Sequence, residues 1–302
     1  MNISKSVNAK FQMTLAGVMI AMGAILGLGE TAIAAQLKVT VENPAPLGGV
    51  AWSPFWFGFH DGTFDTFNVG ESATSAIELV AEEGITSPDV DNPVGTSLSD
   101  DLLSSGAGTV FGEIKSSPRP TDLFAAPDFF PGEVDSVIVE VDGSSPTSQY
   151  FSYASMLVPS NDGFFANDDP LAYRIFDADG NFMPTTITVL GTEILDAGTE
   201  VNTEDPDTTP GLNQHVFFFG ETEGGVILPH PGFNPGGAVL TQFDSLYPEA
   251  NFLAPGYEIA KITIEEVESV PESTTAIGTS LVGALFFGLS RRRRWQRHEV
   301  NS

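Results

Sequence analysis

The chain has 302 residues, with 40 acidic and 12 basic side chains, a formal net charge of −28 and no cysteine. Binding to nucleic acid requires positive groups that neutralise phosphates, so this balance excludes it. The lack of cysteine excludes a disulfide framework, leaving packing or a bound metal to hold the loops.

Lys5 and Lys10 precede an apolar run from Met13 to Leu28, and Ala32-Ile33-Ala34 follows. A basic start, a short apolar core and an A-x-A site predict a secretory signal peptide over residues 1–34, cut after Ala34 or Ala35. The body spans residues 36–268. Between Gln36 and Val270 stand 37 acids and five bases (Lys38, Lys115, Arg119, Arg174 and Lys261), which leaves −32. Such a surface suits solubility outside the cell and attraction of divalent cations.

Strand patterns dominate the body. Leu37 to Val41 alternates with period two, as a half-buried strand does. Ser53 to Asp61 (SPFWFGFHD) is almost wholly aromatic around its middle, which predicts a strand buried on both faces. Ser75 to Glu83 has helical spacing and is expected to cap an edge or end of the fold. The stretch from Gly84 to Pro131 is rich in Gly, Ser, Pro and Asp, with a short helix at Ser99 to Leu103. Further strands are expected at Val137 to Val141, Tyr150 to Val158, Ile187 to Leu190, Val216 to Phe219 and Ile259 to Val267. So many short strands with turn residues between them predict an all-β domain of two packed antiparallel sheets.

The last segment, residues 269–302, starts with Val270-Pro271-Glu272-Ser273. The uncharged stretch Thr274 to Ser290 would be about 25 Å long as a helix, near the short limit for crossing a bilayer. Arg291 to Arg294 and Arg297 follow, placing the tail on the cytoplasmic side. This order resembles the PEP-CTERM sorting signal of exopolysaccharide-making bacteria, with Ser273 where that motif usually has Pro. The resemblance implies an exosortase-type membrane protease as a partner and transient anchoring in the inner membrane through residues 274–290.

Asp162 ends the stretch FSYASMLVPSND, and Asp196 and Glu200 flank Gly198 in DAGTE. Asp196 and Glu200 are four residues apart, so a tight turn can direct both carboxylates into one pocket. Two readings are open. The carboxylates grip a Ca²⁺ ion, which takes six to eight oxygen ligands and can use backbone carbonyls near Asn161 and Asn202. Alternatively, Asp162 and Asp196 only cap turns, as Asp commonly does.

Phe151 to Asp162 resembles the signature of the spondin N-terminal domain. Two further blocks are similar to that family: Val189-Leu190-Gly191 with Asp196-Ala197-Gly198-Thr199-Glu200, and His230-Pro231-Gly232-Phe233-Asn234-Pro235. The resemblance covers about Lys38 to Val267. The resemblance implies an eight-stranded antiparallel β-sandwich similar to calcium-dependent lipid-binding domains. It also implies one Ca²⁺ held by Asp162, Asp196 and Glu200. Together with the sorting signal, the expected role is non-enzymatic: adhesion or association with extracellular matrix or exopolysaccharide. The family's animal members carry disulfides, which this chain lacks.

Other signals are weaker. Asp177-Ala178-Asp179-Gly180-Asn181 imitates the start of a calcium loop, but its Gly is misplaced for an EF-hand and it reads as a hairpin turn. No G-x-S-x-G elbow accompanies Ser160. The aromatic run Trp52 to Phe59 reads as core, with a sugar-binding platform as the alternative; a carboxylate-pair hydrolase is the third functional class considered.

Overall fold

The computed structural model describes residues 34–86, 96–117, 128–214 and 220–267. The expected signal peptide (apart from Ala34), the strand at 216–219 and the helix at 274–290 lie outside the described residues. Among the described residues, no helix is long and apolar enough to cross a membrane.

In chain order the first elements are β1 (Ala35–Glu42), β2 (Ala51–Trp52), β3 (Phe55–His60), α1 (Ser75–Glu83), α2 (Leu98–Ser105), β4 (Val110–Ile114) and β5 (Val134–Val141). Then come β6 (Tyr150–Val158), β7 (Gly163–Ala166), β8 (Thr185–Leu190), β9 (Leu195–Asp196), β10 (Leu228–Pro229), α3 (Ala238–Thr241) and β11 (Glu258–Glu266). The domain is all-β with antiparallel sheets. One sheet has the order β5-β1-β11-β8; the other runs β10-β9-β7-β6-β3-β4, with β2 also paired to β6.

Alternation decides what lies between the sheets. Leu37, Val39 and Val41 of β1 and Ile262 and Ile264 of β11 meet Phe55, Phe57 and Phe59 of β3, Phe151 and Tyr153 of β6 and Phe165 of β7 in one apolar core. Trp52 anchors its centre: its ring stacks on Phe129 at 4.1 Å between centroids, and its indole N–H donates to the Ile259 carbonyl at 3.1 Å. Pairing the indole nitrogen makes burial of this large side chain favourable.

β3 is buried on both faces, as its aromatic sequence predicts. Trp56 points away from the main core and packs with Phe164, Ala154 and the apolar sides of α1 and α2. Thus α1 covers an outer face of the β3–β6–β7 sheet, where the sequence suggested an edge or end. Trp56 and Phe164 present an apolar surface on that side, and the apolar faces of α1 and α2 cover it. Thr74 caps α1 by accepting the N–H of Ile77, and Gly84 closes it at φ 65°. Ser97 and Asp100 form a capping box at the start of α2.

The strand register sets the two ends of the molecule apart. Ala51 of β2 pairs with Val158 of β6, so the loop before β2 and the turn after β6 share one end. Gly163 pairs with Asp196, which brings the 196–202 loop to that same end. β11 runs the other way, finishing with Glu266 beside Leu37 at the start of β1.

Candidate metal centre

The strand β6 ends at a cis Val158–Pro159 peptide, and the chain turns back within four residues. Ser160 makes that turn: its hydroxyl donates to the Leu157 carbonyl at 2.6 Å and accepts the Gly163 N–H at 3.0 Å. Ser160 is therefore a turn residue. The turn buries Asn161 and Asp162, at 1% and 0% exposure.

Asp162 reaches across to the DAGTE turn. Its Oδ2 accepts the backbone N–H of Thr199 at 2.8 Å and of Glu200 at 3.1 Å. Asp196 holds its own turn, accepting the Gly198 N–H on Oδ1 at 2.8 Å and the Asn202 amide on Oδ2 at 2.5 Å. Glu200, 6% exposed, lies against Gly220. The three residues singled out in the sequence thus meet in one buried region, and Asp162 and Asp196 also cap turns. Among the described residues, no three His, Asp or Glu side chains stand close enough to hold one ion as they are. The carboxylates are gathered without forming a closed coordination shell.

Ionised carboxylates are disfavoured in this region. Burial raises Asp162 to about 7, and the Asp196 charge adds to it; the Glu200 and Thr199 N–H groups act the other way. Glu200 is also pushed up to about 7, by burial first and then by Asp162 and Glu83, while the Asn161 amide and the Gly220 N–H lower it. The Asn161 amide favours that carboxylate electrostatically, although its geometry falls short of a hydrogen bond. Among the described residues the ion pair formed is Lys115 with Glu113 at 2.8 Å, and it involves none of these carboxylates.

Three buried side-chain atoms without a hydrogen-bond partner mark the place: Asn161 Nδ2, Asp162 Oδ1 and His230 Nε2. A buried carboxylate oxygen left unpaired is costly, and a hard dication is the group whose chemistry suits it. The orphaned Asp162 oxygen is of the donor type that Ca²⁺ takes, whereas the three carboxylates as they stand do not close around one ion.

Two contributors were not legible as site residues. Glu82, at the C-terminal end of α1, is raised to about 7 by burial, with Glu200 and Glu78 adding to it; its contact with the Thr199 side chain lowers it. Acids at a helix C-terminus oppose the helix dipole, and α1 has no base in its last turn. The Glu78/Glu82 spacing of four is a faint signal of one acidic helix face. His230 is the second. Its Nδ1 accepts the Gly232 N–H at 3.0 Å, so the neutral ring carries its proton on Nε2, where no partner accepts it. Burial lowers it to about 4, against the Asp196 charge.

The other sequence candidates resolve into structure. Asp177 closes a hairpin: its N–H donates to the Asn181 carbonyl, and its carboxylate accepts from Asp179, Asn181 and the Asn181 amide. The carbonyl of Asn202, considered for the shell, accepts the Asn234 amide. Trp52, Trp56, Phe55, Phe57 and Phe59 are fully buried, so this run presents no face to a sugar. His60 and Ser152 stand 2.9 Å apart, but His60 Nδ1 accepts the Gly62 N–H. Its Nε2 therefore donates to the serine and does not act as its base. No protein-family model matches the chain, and no match to a curated protein reaches significance.

Proposed function

We propose that the chain is an exported, calcium-binding spondin-domain protein of the cell envelope or extracellular matrix, working by adhesion or matrix association and not by catalysis. The single observation that carries this reading is Asp162, fully buried beside other carboxylates with Oδ1 unpaired. Asp162, Asp196 and Glu200 would hold the ion, which would supply the positive charge that the loop end lacks. Among the described residues, eight strands of four or more residues and three of two residues, in two antiparallel sheets around a shared core, support a sandwich similar to calcium-dependent lipid-binding domains.

The direction of β11 supports the placement. It leads away from the Asp162 turn, so the last described strand ends opposite the carboxylate loops. An exosortase-type protease would then release the body to matrix or exopolysaccharide.

The test is a pair of thermal melts of the full chain, in calcium and in chelator, repeated with Asp196→Asn. Free ion at about 100 times its dissociation constant stabilises the fold by about 2.7 kcal/mol, a rise of roughly 5–10 °C for a domain of this size. The rise is expected in the parent chain and lost in the variant. No shift at millimolar calcium overturns the reading.

A further inference from the structure

We propose that the outer edge of β5 pairs with β5 of a second copy of this chain, joining two four-stranded sheets into one across a two-fold axis at Ile138. This inference stands apart from the calcium reading.

β5 is the first strand of its sheet, and among the described residues it pairs only with β1. It is eight residues long (VDSVIVEV), with an unbroken register against β1. Natural edge strands are usually blunted by charged side chains, Pro, a bulge or shortness; β5 has no Lys, Pro or bulge and is long, and its charges are Asp135 and Glu140 alone. The parity of its free groups follows from Ser136, whose N–H turns away from the ladder to Asp135 Oδ1 at 2.6 Å. The even-numbered residues therefore direct their backbone groups outward.

The two edges of the same sheet differ. On β8 the core-facing Ile187 and Val189 are 3% and 2% exposed. On β5 the corresponding Val137 and Val139 are only half-buried, although they pack against the core. On the outer face Ile138 and Val134 are 55% and 56% exposed. The core-facing side chains are thus more exposed at β5 than at β8, although β4 of the other sheet approaches β5, and one more strand alongside β5 would cover them further.

A second copy suits this edge by its own sequence. Antiparallel pairing about the axis sets Ile138 against Ile138 and Val137 against Val139. Ser136 then faces Glu140, and Asp135 faces Val141. No acid faces an acid, so the strand's two carboxylates do not oppose the pairing. The Ser136 N–H exchanges its Asp135 partner for the Glu140 carbonyl across the axis. The bodies themselves are strongly acidic and repel at a distance, and salt screens that repulsion. Association therefore tightens as salt rises, the reverse of an interface built on ion pairs.

The absence of cysteine makes the test direct. Full chains carrying Ile138→Cys or Thr188→Cys, each with one thiol on an opposite edge of the sheet, are oxidised mildly in chelator at low and high salt. Facing residues of a hydrogen-bonded antiparallel pair lie about 5.5 Å apart at Cα, within disulfide reach. Both positions are exposed, so neither replacement empties the core. The expected result is a covalent dimer with Ile138→Cys, increasing with salt, and little with Thr188→Cys. Equal cross-linking at both positions, or none at Ile138→Cys, overturns the proposal and leaves the edge to an extended segment of another protein.

Discussion

Asp162 accepts the backbone N–H of Thr199 at 2.8 Å on Oδ2, although 37 residues separate them, and its Oδ1 is buried without a partner. One oxygen ties two loops together. The other is available to a cation, and four predictions follow from that division or from the packing around it.

Asp162→Asn separates the two roles. Removing the charge relieves the repulsion from Asp196, so in chelator near neutral pH the variant is expected to melt at or above the parent temperature. Calcium should no longer raise it. A calcium-induced shift equal to the parent's in differential scanning calorimetry contradicts Asp162 as a ligand.

Stability in chelator should fall as pH rises from about 6.5 to about 8. Asp162, Glu200 and Glu82 are each raised to about 7. The folded state thus binds protons there that the unfolded state has released, and loses that advantage as pH climbs. His60 and His230 are lowered from 6.5 to about 4; their effect is opposite in sign and is confined to pH below the unfolded value. Saturating calcium, by favouring the ionised carboxylates, should flatten the slope. A melting temperature that stays level in chelator across this interval would count against the buried carboxylates.

Gly220→Ala places a methyl group where the Glu200 carboxylate lies. The side chain must move, so calcium affinity is expected to drop at least several-fold while the sheets remain intact. Isothermal titration reads the affinity, and far-ultraviolet circular dichroism reads the sheets. Unchanged affinity would remove Glu200 from the ligand set.

Asn43→Ala tests the loop end without touching the carboxylates. The fully buried Asn43 amide donates to the carbonyls of Val50 and Phe129, and its oxygen accepts the Ala45 N–H. Each group left dry and unpaired costs about 1–3 kcal/mol, so urea denaturation should show a loss of at least that size. A loss well under 1 kcal/mol would mean that water replaces the amide.

Periodicity alone determined much of the fold. β1, β8, β11 and α1 stand where alternation or helical spacing predicts them, because burying one face imposes that pattern on the residues themselves; β6 stands at its expected residues but is buried on both faces. β4 and β7 were not legible. VFGEI has a glycine at its centre, and GFFA follows a turn so closely that it reads as part of the break after Pro159. Both strands owe their form to neighbours already in place, β3 and β6. The sequence likewise named Asp162, Asp196 and Glu200 through motif and spacing. Only the tertiary structure joined them to Glu82 and His230, since long-range contact leaves no local pattern. It also decided that one Asp162 oxygen is spent on a turn while the other is left without a partner, because burial and hydrogen-bond direction are fixed only when the loops meet.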